Sequence, residues 1–243
     1  MSTRISTVLF DLDGTLVDSA VGIHHAASIA AEALGAPNPD LDFVRDAIGR
    51  GVDRLIHRIG SGTQDGEIDE VRHATCLTAF QAAYAESCLE GTCFREGVPR
   101  VMSKLRAEGR RLIIATNKPR HPASLVLERL GLDSMVDGLI CPEDAGVVKP
   151  NPMFIDRCLG SIPRSESVLV GDSSIDGATA RATGIPFIAI RGGYDEGRDI
   201  GDLKPSPDRV VDSPVGVPAA IQEIERDGDV GERTTAPDDS ESG

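Results

Sequence analysis

Two aspartates stand two residues apart after a short apolar run, in the segment VLFDLDGTLVDS (8–19). Residues i and i+2 of an extended strand point to the same side, so Asp11 and Asp13 would face one substrate. One carboxylate can attack a phosphorus atom and form an aspartyl phosphate. The other can protonate the leaving oxygen and later take a proton from water. Gly14 permits a sharp turn after the pair, and Thr15 adds a hydroxyl near it.

Reactive side chains also follow three later apolar runs. Thr116 and Asn117 close RRLIIATN, Lys149 lies in VVKPNP, and Asp172 and Asp176 follow SVLVG. If the runs are parallel strands, these groups gather at one edge of a sheet, where open α/β folds bind ligands. Clustered carboxylates need a hard cation, and Mg²⁺ takes oxygen ligands in a near-octahedral shell. The pattern therefore predicts a Mg²⁺ site.

The positioning elements follow from the apolar pattern. Continuously apolar runs predict strands buried on both faces, which is typical of a parallel sheet; they lie at 6–13, 110–117, 137–144, 167–174, 186–193 and 208–213. Helical patterns that end near glycine lie between them, at 98–109, 122–132, 152–160 and 175–184. This alternation predicts a doubly wound, Rossmann-like α/β fold.

One long segment interrupts the alternation. Its three stretches read as helices with little strand signal, at 21–35, 41–60 and 67–89. We therefore predict an all-helical insertion over 18–93, placed after the first strand of a core domain formed by 1–17 and 94–226. The last stretch, 227–243, is acidic and nearly devoid of apolar side chains, so we predict that it is disordered.

Four motifs carry a resemblance to a known family. DLDGT, ATN, VKPNP and GDSSID occur in this order and resemble the four motifs of the haloacid dehalogenase (HAD) superfamily of phosphatases. The match runs from residue 7 to about 213, and it is most similar to the phosphoglycolate phosphatase-like branch. The helical insertion resembles that family's mobile cap. The resemblance thus implies a HAD α/β core with a cap that closes over the substrate.

The resemblance also implies roles for the motif residues. Asp11 matches the nucleophile and Asp13 the general acid and base. Thr116 matches the hydroxyl that binds phosphoryl oxygens, with Asn117 beside it. Lys149 matches the ammonium that steadies the nucleophile and the phosphoryl charge.

The implied metal shell comes from the first and last motifs. Asp172 matches the Mg²⁺-binding carboxylate, and Asp11 and the main-chain carbonyl of Asp13 would complete the protein's share. Asp176 matches the later acid, which helps to hold Lys149 or the metal's waters.

Arg50 is a candidate contact from the cap. It lies in the glycine-containing loop of AIGRGVDRLI, and related caps bring this loop near the active site. There an arginine could meet a carboxylate or a second phosphate of the substrate. An ordinary surface arginine is the competing interpretation.

These motifs imply a Mg²⁺-dependent phosphatase of a small phosphorylated metabolite, with 2-phosphoglycolate as the leading candidate. A sugar-phosphate mutase, or a sugar or nucleotide phosphatase of the same superfamily, remains an alternative, because only cap contacts differ. A non-catalytic descendant that binds a phosphorylated ligand is a third.

Charge and cysteine content bear on partners and location. A net charge of −14 disfavours nucleic acid and anionic membranes as partners. Five cysteines without a CxxC pair, no signal peptide and no long apolar stretch predict a cytoplasmic protein. The 39 acidic residues against 25 basic ones suit a salt-adapted host, or reflect a GC-rich genome and an acidic tail.

Overall fold

The computed structural model describes residues 4–234, and a parallel sheet forms its centre. The strands are β1 (Thr7–Phe10), β2 (Val17–Asp18), β3 (Cys93–Phe94), β4 (Arg111–Ala115), β5 (Gly138–Ile140), β6 (Ser167–Gly171), β7 (Phe187–Ile190) and β8 (Arg209–Val211). Six of them pair in the order β5-β4-β1-β6-β7-β8, and each neighbouring pair is parallel. Each of the six lies within one predicted run, so the predicted doubly wound α/β fold is confirmed.

Helices cover both faces of this sheet. The α-helices of the described residues are α1 (Ala20–Glu32), α2 (Leu41–Ala47), α3 (Val52–Ser61), α4 (Glu70–Ser87), α5 (Val98–Ala107), α6 (Arg120–Leu130), α7 (Pro142–Ala145), α8 (Pro152–Leu159), α9 (Ser174–Thr183) and α10 (Val217–Thr234). Val8 and Phe10 pack in one apolar cluster with α5, α6 and α10, whereas Leu9 packs in another with α8 and α9. This alternation along β1 explains why its sequence is continuously apolar.

The strand order places a topological switch point beside β1. The chain passes from β1 to β4 and β5 on one side, and returns to β6, β7 and β8 on the other. Open α/β sheets bind ligands at the carboxyl ends of strands at such a point. The residues after β1, β4 and β6 are therefore the candidates for a ligand site.

The segment after β1 and β2 folds as four packed helices, α1 to α4, with an apolar centre of their own that includes Ile56 and Phe80. Its two connections to the core pair as the antiparallel strands β2 and β3, with Val17 opposite Phe94. The pattern at 41–60 forms two helices rather than one. Gly49 and Gly51 have φ of 108° and 86°, a conformation that favours glycine and separates α2 from α3.

Helix α10 extends through residues 227–234, which are the first part of the segment 227–243 predicted to be disordered. The Arg209 guanidinium donates to Glu223 at 2.9 Å and to Asp227 one turn later, which fixes this turn. A nucleated helix gains one hydrogen bond for each further residue. Residues 235–243 lie outside the described part of the chain.

The structure also bears on the cysteines and on membrane insertion. The five cysteines are free thiols, and four of them are buried. Within residues 4–234, no helix combines the length and the apolar character needed to cross a bilayer.

Candidate active site

The register of the sheet aligns the ends of its three central strands. Phe10 pairs with Ile114 of β4 and with Val170 of β6. The residues that follow these strands therefore start at the same level, and the structure brings seven of the predicted site residues to this edge: Asp11, Asp13, Thr116, Asn117, Asp172, Asp176 and, through the loop after α7, Lys149.

Lys149 forms the positive centre of the site. Its Nζ donates to Oδ1 of Asp11 at 2.9 Å and to Oδ1 of Asp176 at 2.6 Å, and the residue is only 3% exposed. Burial by itself would lower the pKa of Lys149, but the negative charges of Asp11 and Asp176 outweigh it and raise that pKa. The side chain is therefore a permanent ammonium beside the predicted nucleophile.

Asp172 is buried against the same group. It accepts hydrogen bonds from the Thr15 hydroxyl and, at 2.6 Å, from the backbone N–H of Tyr194. Burial, followed by repulsion from Asp11 and Asp176, raises the pKa of Asp172 well above its usual range. Burial likewise raises the pKa of Asp11 to about 6, although Lys149 opposes the shift. With all three carboxylates ionised, the site would carry more negative charge than Lys149 neutralises.

A hard divalent cation fits this donor set. Carboxylate oxygens of Asp11, Asp172 and Asp176 lie within 4.8 Å of one another, and all three residues are buried. A Cβ atom at Gly14 or Gly193 would collide with the Asp172 carboxylate, so two backbone segments close tightly around it. Oxygen donors in a crowded anionic pocket are the ligands that Mg²⁺ prefers.

Asp176 also has a structural task. Its Oδ2 accepts from the backbone N–H of Ser173 at 3.2 Å and from the Ser173 hydroxyl at 2.7 Å. The Ser173 hydroxyl accepts in turn from the Asp176 N–H, which completes a capping box at the start of α9. Asp176 is therefore rigidly held while its Oδ1 holds Lys149.

Asp13 faces a second ammonium. Its Oδ1 accepts from the Ser19 hydroxyl at 2.6 Å, and the Nζ of Lys118 lies 2.8 and 3.1 Å from its two oxygens. The two motif aspartates are thus engaged by different lysines, Asp11 by Lys149 and Asp13 by Lys118.

Thr116 and Asn117 have different surroundings. Asn117 accepts from the backbone N–H of Lys149 at 2.8 Å and donates to its carbonyl at 3.1 Å, so it positions the segment that carries the ammonium. The Thr116 hydroxyl accepts from the Lys118 N–H at 3.1 Å, and its side chain lines the cavity described next.

A cavity of about 50 Å³ separates these residues from the cap. Its core side is polar and includes Asp11, Asp13, Thr116 and Lys118, whereas its cap side is mainly apolar: Ile23, Ile48, Val52, Leu55 and Phe80, with Tyr84 beside them. One water needs roughly 10–15 Å³ on this measure, so the space takes a few small groups only.

The structure does not bring Arg50 into this cavity. Its guanidinium forms an ion pair with Glu196 at 2.7 Å and is 41% exposed. Gly49 and Gly51 line the cavity with their backbone instead, and their positive φ values turn the intervening side chain away. Glu196 also accepts from Arg58, whose side chain is 1% exposed.

Three functional side chains escaped the sequence analysis. Lys118 directly follows the ATN motif, and this position was the one available signal for it. Tyr84 lies on α4 of the cap, and its hydroxyl accepts a hydrogen bond from Lys118 Nζ. Tyr194 follows β7, and its hydroxyl accepts from the N–H groups of Ser19 and Ala20 at the start of α1. Neither tyrosine lies in a sequence motif that would predict its role.

A second group of potential ligands lies on the cap, where Asp53, His57 and His73 approach one another. The Nδ1 of His57 accepts from the Ile68 N–H at 3.2 Å, which places the proton of a neutral ring on Nε2. A metal-bound histidine instead donates from its second nitrogen to an acceptor. The group is therefore better described as an Asp53–His73 pair, 3.0 Å apart, beside His57.

This chain is similar to haloacid dehalogenase-like hydrolases and to bacterial phosphoglycolate phosphatases. The family model of haloacid dehalogenase-like hydrolases matches residues 8–190. A plasmid phosphoglycolate phosphatase of Cupriavidus necator is 34% identical over 223 residues, covering 91% of this chain and 95% of the relative. The phosphoglycolate phosphatase of Thiobacillus denitrificans is 31% identical over 201 residues, covering 82% and 88%.

Solved structures show the same fold. A predicted phosphoglycolate phosphatase from Haemophilus somnus superposes with a TM-score of 0.80 at 23% identity, over 88% of this chain and 97% of that one. CbbY from Rhodobacter sphaeroides, solved in complex with phosphate, superposes with a TM-score of 0.73 at 21% identity, over 90% and 100%.

Proposed function

Because this chain belongs to the haloacid dehalogenase-like hydrolase family and is a phosphoric monoester hydrolase, we propose that it hydrolyses a small phosphomonoester with Mg²⁺, through an aspartyl phosphate on Asp11. The leading substrate is 2-phosphoglycolate. The observation that carries the proposal is the buried Lys149 ammonium held between Asp11 and Asp176, beside Asp172.

Asp11 is the nucleophile of the proposed reaction. One of its carboxylate oxygens attacks phosphorus, the bond between phosphorus and the ester oxygen breaks, and the phosphoryl group becomes attached to Asp11. Lys149 contacts Oδ1 at 2.9 Å, so it orients the carboxylate and offsets charge that builds up on the phosphoryl oxygens. The Thr116 hydroxyl lines the same side of the cavity and can donate to a phosphoryl oxygen.

Asp13 donates and accepts the protons of the proposed reaction. It gives a proton to the leaving oxygen as the ester bond breaks. In the second half it takes a proton from a water molecule that attacks phosphorus, which breaks the bond to Asp11 and releases inorganic phosphate. The Ser19 hydroxyl and the Lys118 ammonium hold the Asp13 side chain in one orientation on the cap side of the site.

Asp11, Asp172 and the main-chain carbonyl of Asp13 are the proposed Mg²⁺ ligands, and Asp176 supports them by holding Lys149. When bound, Mg²⁺ supplies charge neutralisation that lets an anionic nucleophile approach an anionic phosphate. Without a cation, burial disfavours the charged forms of Asp11 and Asp172, as their raised pKa values indicate.

The size and the lining of the cavity support the proposal that the substrate is small. Its volume of about 50 Å³ and its apolar cap wall leave little space beyond a phosphoryl group and a leaving group of a few atoms. The cap can exclude water during transfer, which favours phosphoryl transfer to Asp11 over side reactions. A cytoplasmic location is part of the proposal, since the five thiols are free.

Phosphate release tests the proposal directly. We would assay 2-phosphoglycolate, a sugar phosphate and a nucleoside monophosphate with Mg²⁺ or EDTA, using the wild type and Asp11→Asn. We expect release that needs Mg²⁺ and falls at least about thousandfold in Asp11→Asn. Asp156→Asn, an exposed aspartate paired with Arg164 outside the cavity, is the matched control. Release that persists in EDTA or in Asp11→Asn would contradict the mechanism.

A further inference from the structure

We propose that Lys118 and Tyr84 together bind a carboxylate on the leaving group, which would make the preferred substrates phosphomonoesters of small 2-hydroxy acids. This inference rests on the proposed phosphatase function and names the substrate class of the same site. Lys118 comes from the core and Tyr84 from the cap, so one substrate carboxylate would contact both.

The charged side chains around the cavity indicate where a second anionic group of the substrate would bind. Lys149 is enclosed by Asp11 and Asp176 and does not line the cavity. Among the described residues that line it, Lys118 carries the single cationic side chain. Its side chain is 2% exposed, so its charge is concentrated in the cavity rather than dispersed in solvent. A substrate with a second anionic group would share this ammonium with Asp13, because Arg50 does not line the cavity and pairs with Glu196.

The hydroxyl of Tyr84 provides a second donor. It accepts from the Lys118 ammonium, and it donates no hydrogen bond to any residue within 4–234. Burial raises the pKa of Tyr84 to about 12, so the hydroxyl keeps its proton at neutral pH. An O–H donor beside an ammonium is suited to the two oxygens of a carboxylate.

The position of Lys118 matches the spacing of such a substrate. Its Nζ lies 2.8 Å from Oδ1 of Asp13, the group proposed to protonate the leaving oxygen. A carboxylate one carbon from the leaving oxygen therefore falls within reach of Lys118 when Asp13 reaches that oxygen. In 2-phosphoglycolate a single CH₂ separates the ester oxygen from the carboxylate. Longer leaving groups would meet the apolar wall that includes Leu55 and Phe80.

Ethyl phosphate is the matched probe, because it replaces the carboxylate of 2-phosphoglycolate with a methyl group. We would measure kcat and KM for both esters with the wild type, Tyr84→Phe and Lys118→Met. We expect the wild type to prefer 2-phosphoglycolate. Tyr84→Phe should reduce this preference about tenfold, mainly through KM, because it removes one hydrogen bond to a charged group. Lys118→Met should reduce it about a hundredfold, because it removes the charge.

The ratio of kcat/KM for the two esters separates an effect on carboxylate recognition from an effect on the structure of the site. Lys118 also holds Asp13, so Lys118→Met should slow both esters, and only the additional loss on 2-phosphoglycolate reports carboxylate binding. Asp156→Asn is the control, because Asp156 is exposed, pairs with Arg164 and does not line the cavity, and this variant should keep the wild-type ratio. Equal losses on both esters in Tyr84→Phe and Lys118→Met would overturn the inference.

A binding measurement keeps this test independent of turnover. In the Asp11→Asn background, calorimetry should show tighter binding of 2-phosphoglycolate than of ethyl phosphate, and Tyr84→Phe or Lys118→Met should remove the difference. No difference in Asp11→Asn itself would overturn carboxylate recognition. Failure of the wild type to hydrolyse either ester would instead refute the proposed function and leave the binding result to decide this inference.

Discussion

Glu196 connects the core to the cap, and removing its charge should weaken that connection. It lies in the loop after β7 and accepts from Arg58 of α3 and from Arg50, also of the cap. The Arg58 side chain is 1% exposed, and its other donors reach the carbonyls of Gln64 at 2.8 Å and Ala47 at 3.1 Å. The variant Glu196→Gln would leave this buried guanidinium with neutral acceptors only.

The expected loss of stability follows from this burial. Removing one partner of a fully buried ion pair costs about 3–5 kcal/mol, and a hydrogen bond to a charged group contributes about 1.5–3 kcal/mol. Glu196 keeps 17% side-chain exposure, and a glutamine oxygen can still accept from Arg58, so the lower range applies. We expect Glu196→Gln to reduce the free energy of unfolding by about 2 kcal/mol, or to lower Tm by roughly 4–8 °C.

The loss should depend on pH in a defined direction. Burial would raise the pKa of Glu196, but the hydrogen bond from Arg58 and the charges of Arg50 and Arg58 outweigh it and lower that pKa below the usual 4.5. The stabilisation is therefore fully present above about pH 4.5 and disappears as pH falls through the lowered folded-state pKa. Urea unfolding from pH 7 to pH 3 should show the wild type and Glu196→Gln converging only at the acidic end.

An exposed ion pair provides the control for this measurement. Asp156 and Arg164 pair at 2.6 Å with side-chain exposures of 53% and 40%, so Asp156→Asn should change the free energy of unfolding by about 0–1 kcal/mol. A loss in Glu196→Gln no larger than in Asp156→Asn would refute the reasoning. A difference between wild type and Glu196→Gln that stays constant down to pH 3 would also refute it, because the charge of Glu196 would then not be responsible.

Three further perturbations address the active site. Lys149→Met removes the ammonium between Asp11 and Asp176, so phosphate release should fall at least about thousandfold, and activity within tenfold of wild type in steady-state assays would contradict its role. Gly14→Ala places a methyl group against the Asp172 carboxylate at a φ of +89°, so Mg²⁺ should raise Tm less than in the wild type; an equal rise would show that Asp172 is undisturbed. In the wild type, the rise in Tm on adding Mg²⁺ should be larger at pH 8 than at pH 5, because the raised pKa of Asp11, about 6, means that a proton must leave before the ionised carboxylate can bind. A rise independent of pH would contradict this.

The sheet and its polar edge were predictable because they depend on local rules. Continuous apolarity identified the strands, since both faces of a parallel sheet are buried, as β1 and β6 show. Parallel strands must end at one edge, which is why Asp11 and Asp172 could be placed together before any contact was known.

Contacts between the cap and the core could not be predicted in this way. Lys118 meets Tyr84, 34 residues away, because α4 packs against α6, the helix that follows the Lys118 loop. Arg50 turns to Glu196, which lies 146 residues later in a loop without a recognisable pattern. Such pairings depend on tertiary packing and on the φ values of Gly49 and Gly51, and neither is encoded in an apolar period.

The most direct test of the account is to trap the phosphoryl group on the protein. Rapid acid quenching after mixing with phosphoryl-labelled 2-phosphoglycolate and Mg²⁺, followed by peptide mapping, would locate any covalent label. The account predicts a transient label on the peptide that contains Asp11, and none in Asp11→Asn. Hydrolysis of 2-phosphoglycolate without a label on Asp11, or with a label on another residue, would contradict it.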